Sequence, residues 1–245
     1  MQIIPAIDIS FGSCVRLYQG DFGQRTEYST DPAAVARKYE AIGFTELHVV
    51  DLDGAHSGQQ PNREIVSAIA NETNLSIQLG GGIRHTETLS AWFEKGVSRC
   101  VIGSRAITDP ALICEWCTEF GADRIVLALD VRFINKLPRL ATHGWTATSE
   151  KTLWQCLDDF QSVGLRRVLC TDIGRDGAMT GPNLDLYADF VGRFPAIRLQ
   201  ASGGVRDLDD LIQLRQLGAS AAITGRALLD GKITDEEARS FLPVG

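Results

Sequence analysis

The chain has little that would place it in a membrane, on a nucleic acid or around a metal. No apolar run approaches the roughly 18–20 residues that span a bilayer. The opening Met1-Gln2-Ile3-Ile4-Pro5 lacks the basic start and apolar core of a signal peptide. Acidic residues outnumber basic ones, 31 against 24, and the net charge of −7 argues against nucleic acid as a partner. Cysteine is sparse, six in 245 residues, and only Cys114 and Cys117 have redox or metal spacing. That pair lies inside a helical pattern with no second pair, so it reads as structural. The four histidines are scattered, with no His/Cys/Asp/Glu spacing for a metal site. No nucleophile–histidine arrangement and no dinucleotide fingerprint is present. These absences predict a soluble cytoplasmic protein without metal or cofactor, acting on a small molecule. A monomer with no obligate protein partner is expected.

What is present is a repeat. Gln78-Leu79-Gly80-Gly81-Gly82-Ile83-Arg84 and Gln200-Ala201-Ser202-Gly203-Gly204-Val205-Arg206 are near copies set 122 positions apart, half the chain. At the same offset Asp8 meets Asp130, Gly96 meets Gly218, and Gly103 meets Gly225. With a slip of one residue Asp51 meets Asp172. Reuse of one strand–loop–helix grammar explains the glycines but not the paired aspartates. The spacing predicts two like halves, about 1–122 and 123–245, within one domain.

Eight short runs rich in Val, Ile and Leu alternate with amphipathic segments: Ile3–Ile7, Leu47–Val50, Ser76–Leu79, Cys100–Ile102, Ile125–Leu129, Val168–Thr171, Arg198–Ala201 and Ala221–Thr224. They do not alternate polar with apolar, as expected for parallel strands buried on both faces. Helix starts are marked at Asp31-Pro32, Asp109-Pro110, Thr86-Glu87 and Asp207. Helix stops are marked at Gly43, Gly96, Gly121, Gly164 and Gly218. Eight βα units predict an α/β single (β/α)8 barrel. Longer connections, 10–30, 53–61, 132–150 and 174–183, fall at the ends of strands one, two, five and six, where barrel active sites are built. They read as loops, some of them lids.

Asp8 and Asp130 end strands one and five, opposite each other in an eight-strand ring. Two carboxylates in different environments split the work of general acid and base. Asp172, ending strand six, is a third candidate, either as acid or as a group that orients substrate. Gly81-Gly82 with Gly103-Ser104 form one expected phosphate clamp, and Gly203-Gly204 with Gly225-Arg226 a second. Tight turns need glycine anyway, and the pairing across neighbouring strands is what favours phosphate. Arg16, Arg84 and Arg175 are candidate anion partners, or solvated surface arginines. Trp145 is placed to stack on a flat heterocycle or to pack on the rim. His48 reads as a core residue.

The motifs Ile4-Pro5-Ala6-Ile7-Asp8, Val15-Arg16-Leu17-Tyr18-Gln19-Gly20-Asp21, Val50-Asp51-Leu52-Asp53-Gly54-Ala55, Gly80-Gly81-Gly82-Ile83-Arg84, Ala128-Leu129-Asp130, Thr171-Asp172-Ile173, Arg175-Asp176-Gly177 and Ser202-Gly203-Gly204 run from end to end. In them the chain resembles the phosphoribosylformimino-5-aminoimidazole carboxamide ribotide isomerases of histidine biosynthesis. The resemblance implies a duplicated half-barrel and a substrate with a phosphate at each end. It implies an Amadori rearrangement: ring opening to a Schiff base, loss of the C2 proton to an enolamine, and tautomerisation to the aminoketose. It makes Asp8 the proton acceptor and Asp130 the donor, while Asp172 competes for the donor role on geometric grounds. Trp145 would stack on the aminoimidazole carboxamide, with Arg16, Gln19, Arg84, Thr171, Arg175 and Ser202 as further substrate contacts. The related cyclase subunit of imidazole glycerol phosphate synthase and a non-catalytic phosphosugar-binding barrel are the alternatives. Activity on phosphoribosylanthranilate is not excluded by these motifs.

Overall fold

All eight expected strands form; seven are extended, by up to five residues at an end, and the eighth keeps its expected bounds. They are β1 (Gln2–Ser10), β2 (Glu46–Asp51), β3 (Ser76–Gly80), β4 (Arg99–Ile102), β5 (Ile125–Ile134), β6 (Arg167–Asp172), β7 (Arg198–Ser202) and β8 (Ala221–Thr224). The computed structural model describes residues 1–242, so the end of the expected second half, 243–245, lies outside the described residues. Each strand pairs in parallel with the next, and β8 pairs with β1, which closes the ring into a (β/α)8 barrel.

Residue parity sorts the side chains, because successive residues of a strand point to opposite faces. Ile4, Ala6, Val101, Val126, Leu169, Ala221 and Ile223 form one buried cluster inside the ring. Ile7, Ile9, Leu127, Leu129, Val168 and Cys170 belong to the larger core between ring and helices. Both faces are therefore apolar, which is why the runs show no alternation.

The centre of the ring is polar. Gln78 donates to the side-chain carbonyl of Gln200 at 2.8 Å, and Gln200 returns the bond at 3.0 Å. His48 Nδ1 lies 3.1 Å from the Gln78 amide, and burial pushes its imidazole down to about 3, so it stays neutral. The repeated glutamine thus joins the two halves across the barrel. Its side chain takes no part in the glycine turn it precedes. Gln78→Leu leaves the Gln200 amide buried without its partner, at an expected cost of about 1–3 kcal/mol. Urea melts of single and double variants check this: the Gln78→Leu/Gln200→Leu pair should cost less than the two singles together.

The helix punctuation acts as read. Asp31 accepts from Ala34 N at 3.0 Å with Pro32 in the first turn of α1 (Pro32–Ile42). Asp109 and Asp207 cap their helices in the same way. Gly43, Gly96, Gly121, Gly164 and Gly218 all take positive φ. Thr86 opens its helix without a side-chain cap, with His85 as the flanking residue. Cys114 lies in the helix Pro110–Trp116 and Cys117 just beyond it; both are free, and burial raises the Cys117 thiol to about 11. Among the described residues no helix is long and apolar enough to cross a membrane.

The long connections differ from the expected loops. After β1 the chain forms an antiparallel ribbon, Ser13–Tyr18 with Asp21–Ser29, and after β5 another, Leu137–Thr142 with Ala147–Thr152. The outer strand of each ribbon has no fully buried residue: Asp21–Ser29 is mostly exposed and Ala147–Thr152 is at best half-buried. Strands with little buried face carry no hydrophobic period, so the sequence pattern hides them.

Candidate active site

Parity places Asp8 and Asp130 at the C-terminal mouth of the barrel. Asp8 continues the inward stripe Ile4-Ala6, and Asp130 the stripe Val126-Ala128. Asp172 is of the other parity: it follows Val168 and Cys170 on the outward stripe of β6. Its carboxylate anchors the next turn, accepting from Gly174 N at 3.0 Å and from the Asn183 amide at 2.6 Å. Asp51 does the same on β2 with Gly54 N at 2.8 Å and Asn62 at 2.7 Å. The pair that matched with a slip of one residue therefore shares one turn-anchoring geometry.

A residue absent from the expected set comes into the mouth. Asp176 sits in the turn after β6, where its backbone N–H bonds the carbonyls of Asp172 and Ile173. That turn returns its carboxyl to the charges of Asp8, Arg16 and Asp130. Burial, and next the charge of Asp8, push the Asp176 carboxyl up to about 6 against the pull of Arg16. The motif Arg175-Asp176-Gly177 was visible in the sequence. Nothing local in it distinguishes Asp176 from Asp172.

Asp8 pairs with Arg16 at 2.6 Å, and Arg16 also donates to Ala6 O at 2.6 Å. The Arg16 Nε is buried without a hydrogen-bond partner among the described residues. A Cβ at Gly225 would overlap that guanidinium, so the glycine makes room for it. Asp130 accepts from the Trp145 indole N–H at 2.8 Å and from the Thr171 hydroxyl. Burial raises its carboxyl above the ordinary carboxylate range despite those two bonds. Trp145 holds φ 70° and His143 φ 55°, a left-handed stretch that non-glycine residues rarely adopt and that clusters at functional sites. The indole lies over Gly20, whose Cβ would overlap it.

The connections after β1, β4, β5, β6 and β8 lock together around these groups. Gln19 donates to Gly174 O at 3.0 Å and, through its backbone, to Asp176 O at 3.2 Å. Arg226 donates to Gly177 O at 2.8 Å. Ser104 Oγ accepts from His143 N at 2.9 Å.

Both glycine turns sit at the mouth's rim. Gly81 and Gly82 take φ 114° and 73°, and Gly203 and Gly204 take φ 93° and 89°. A Cβ at Gly82 would overlap Gly54 O, and one at Gly204 would overlap Gly181 O. The neighbouring connection therefore demands glycine here before any ligand does. Gly103 and Gly225 each open a short helix, Ser104–Thr108 and Arg226–Leu229. Among the other expected contacts, Ser202 is buried, and Arg175 braces its own turn through Thr180 O and Gly181 O. Arg84 is exposed and donates to Ala55 O at 3.0 Å. Its counterpart in the repeat, Arg206, is instead tied to Asp210 at 2.6 Å.

Among known proteins, residues 2–234 match the family described as histidine biosynthesis protein. The chain is 47% identical over 241 residues to a protein of Elusimicrobium minutum, covering 98% of this chain and 100% of the relative. It is 45% identical over 237 residues to one of Alteromonas mediterranea, with 96% and 97% covered. A relative in Bacteroides thetaiotaomicron is 42% identical over 242 residues, with 99% and 100% covered. All three are named 1-(5-phosphoribosyl)-5-((5-phosphoribosylamino)methylideneamino)imidazole-4-carboxamide isomerase. A match that runs nearly end to end, at these identities, makes this chain a member of the histidine biosynthesis protein family.

Proposed function

We propose that this protein carries out the isomerisation its relatives are named for, converting the bisphosphate aminoaldose to the aminoketose. The observation that carries the reading is a pair of carboxylates with unlike surroundings between two glycine turns. Asp8 is ion-paired to Arg16, whereas burial and the neighbouring Asp8 charge push the Asp176 carboxyl up to about 6. Such a pair divides base from acid.

In this scheme the Asp176 carboxyl gives its proton to the ribose ring oxygen as the C1–O bond breaks. The electron pair of the linking nitrogen moves in to form the Schiff base. Asp8 then takes the C2 proton, and the C2–H electrons become the C1–C2 double bond of the enolamine. Reprotonation at C1 and loss of the hydroxyl proton at C2 complete the aminoketose, with no net oxidation. Asp130 holds the Trp145 indole by its N–H, which leaves the ring face for the heterocycle. Asp172, an outward anchor, supports the turn that carries Asp176. The two phosphates sit on the turns of Gly81-Gly82 with Gly103-Ser104 and of Gly203-Gly204 with Gly225-Arg226, and the unpartnered Arg16 Nε is a donor beside the second. A metabolite carrying two phosphates stays inside the cell, and we place the protein in the cytoplasm as a monomer.

Purified protein mixed with the aminoaldose, and no added metal, should yield the aminoketose. Binding without turnover would make it a phosphosugar-binding barrel. Formation of imidazole glycerol phosphate from the aminoketose and ammonia would make it the cyclase.

A further inference from the structure

The opposite end of the barrel carries a second concave, charged feature. A cavity of about 500 Å³ opens at the N-terminal ends of the strands, with Ser240, Phe241 and Leu242 in its wall. That volume lies in the range of small-molecule sites. Its charged lining is Arg167, Arg198, Arg215 and Glu46. Glu46 is already engaged by Arg99 at 2.6 Å, and Arg99 is 8% exposed. The carboxylate of the lining is thus ion-paired to a cation from outside it.

Among the described residues, Arg167, Arg198 and Arg215 have no ion-pair partner. Arg167 and Arg198 are direct register partners at the starts of β6 and β7. Like charges set side by side on adjacent strands destabilise a sheet. Arg99 adds to the repulsion, since the Arg167 charge works against its own protonated form. Arg215 stacks on the Phe241 ring with its guanidinium carbon 4.5 Å from the centroid, an arrangement that leaves its edge donors free. The Nε atoms of Arg99 and Arg167 are buried with no hydrogen-bond partner among the described residues. A buried orphan donor costs about 1–3 kcal/mol, more when charged. The repulsion between Arg167 and Arg198 and the orphaned Arg167 Nε are both relieved by one thing, an anion seated between β6, β7 and the helix that carries Arg215.

We propose that this N-terminal mouth is an anion-binding site, separate from the two glycine turns, for a small multivalent anion bearing phosphate or carboxylate groups. Guanidinium forks suit both, because each presents paired oxygens to two N–H donors. Gln200 lines the same cavity and bonds Gln78, so the occupant would rest on the polar pair at the barrel's centre.

The test is calorimetric titration at low salt with pyrophosphate in one arm and citrate in the other. Wild-type protein should show one binding event that Arg167→Gln/Arg198→Gln weakens at least tenfold, while events at the glycine turns persist in both. Loss in the pyrophosphate arm alone assigns a phosphate ligand, and loss in the citrate arm assigns a carboxylate one. Ser220→Asp is the second variant: it keeps every arginine and sets a carboxylate in the cavity wall. It should weaken the same event without lowering the melting temperature. Titrations that coincide for wild type and both variants in both arms would overturn the proposal. Crystals soaked in tungstate give a second reading: density between Arg167, Arg198 and Arg215 supports the site, and density only at the glycine turns refutes it.

Discussion

Asp8→Asn is expected to lower kcat/KM by about a thousandfold or more, within the 10²–10⁴ that a positioned base contributes. KM should change little, because the glycine turns proposed to hold the substrate's phosphates are untouched. The substitution suits this test because of Arg16. Asparagine keeps the shape of the side chain and one acceptor oxygen for the Arg16 guanidinium, now 2.6 Å from Asp8. Asp8→Ala removes that acceptor and strands a cation in the barrel wall, at an expected cost of about 3 kcal/mol. A melt of both variants therefore separates chemistry from structure. Asp8→Asn should unfold near the wild-type temperature with its activity gone, and Asp8→Ala should lose both. Wild-type turnover in Asp8→Asn would remove the residue from the base role.

Asp176→Asn is expected to move activity and stability in opposite directions. As the acid, Asp176 should be worth about a hundredfold or more in kcat. Its effect on stability follows from where its proton is held. The folded carboxyl titrates near 6, above the ordinary carboxylate value of about 3.9 in the unfolded chain. The folded state thus binds the proton more tightly. Stability from this group is complete below the unfolded value and is lost as pH rises through 6. At pH 7 the charged carboxylate sits desolvated beside Asp8. Asparagine carries no charge at any pH, so the variant should gain about 1–3 kcal/mol at pH 7 and nothing near pH 4. Thermal melts at the two pH values read this directly. A site that trades stability for function is the usual origin of such a gain. A melting temperature that falls at pH 7 would mean that Asp176 is a structural anchor like Asp172.

The fold was almost wholly legible because barrel strands announce themselves twice, by unbroken apolar runs and by the glycines and capping aspartates between them. The site was legible where strand parity applies. Ile4-Ala6-Asp8 and Val126-Ala128-Asp130 are stripes of period two, and their last members face the mouth. The same count takes Asp172 out of the mouth, since it follows Val168 and Cys170 on the other face. Asp176 had no such rule to reveal it. It lies beyond the strand, and only the path of the turn returns it to Asp8. Gln78 and Gln200 were conspicuous as a repeat, but their pairing needs the barrel to be closed. At the N-terminal end of the barrel, Arg99, Arg167 and Arg198 each stand in the sequence as a lone charge at the start of a strand. Closure of the ring sets them on one end of the barrel.

The division of labour between Asp8 and Asp176 is tested most directly by the pH dependence of kcat/KM, measured for wild type and for Asp176→Asn on the same substrate. The substrate's phosphates also titrate near 6, and the ratio of the two profiles cancels them. The account predicts a ratio that is level below pH 6 and then falls about tenfold per pH unit, as the wild type loses the proton that the variant never had. A ratio that stays level from pH 5 to pH 8 would contradict it.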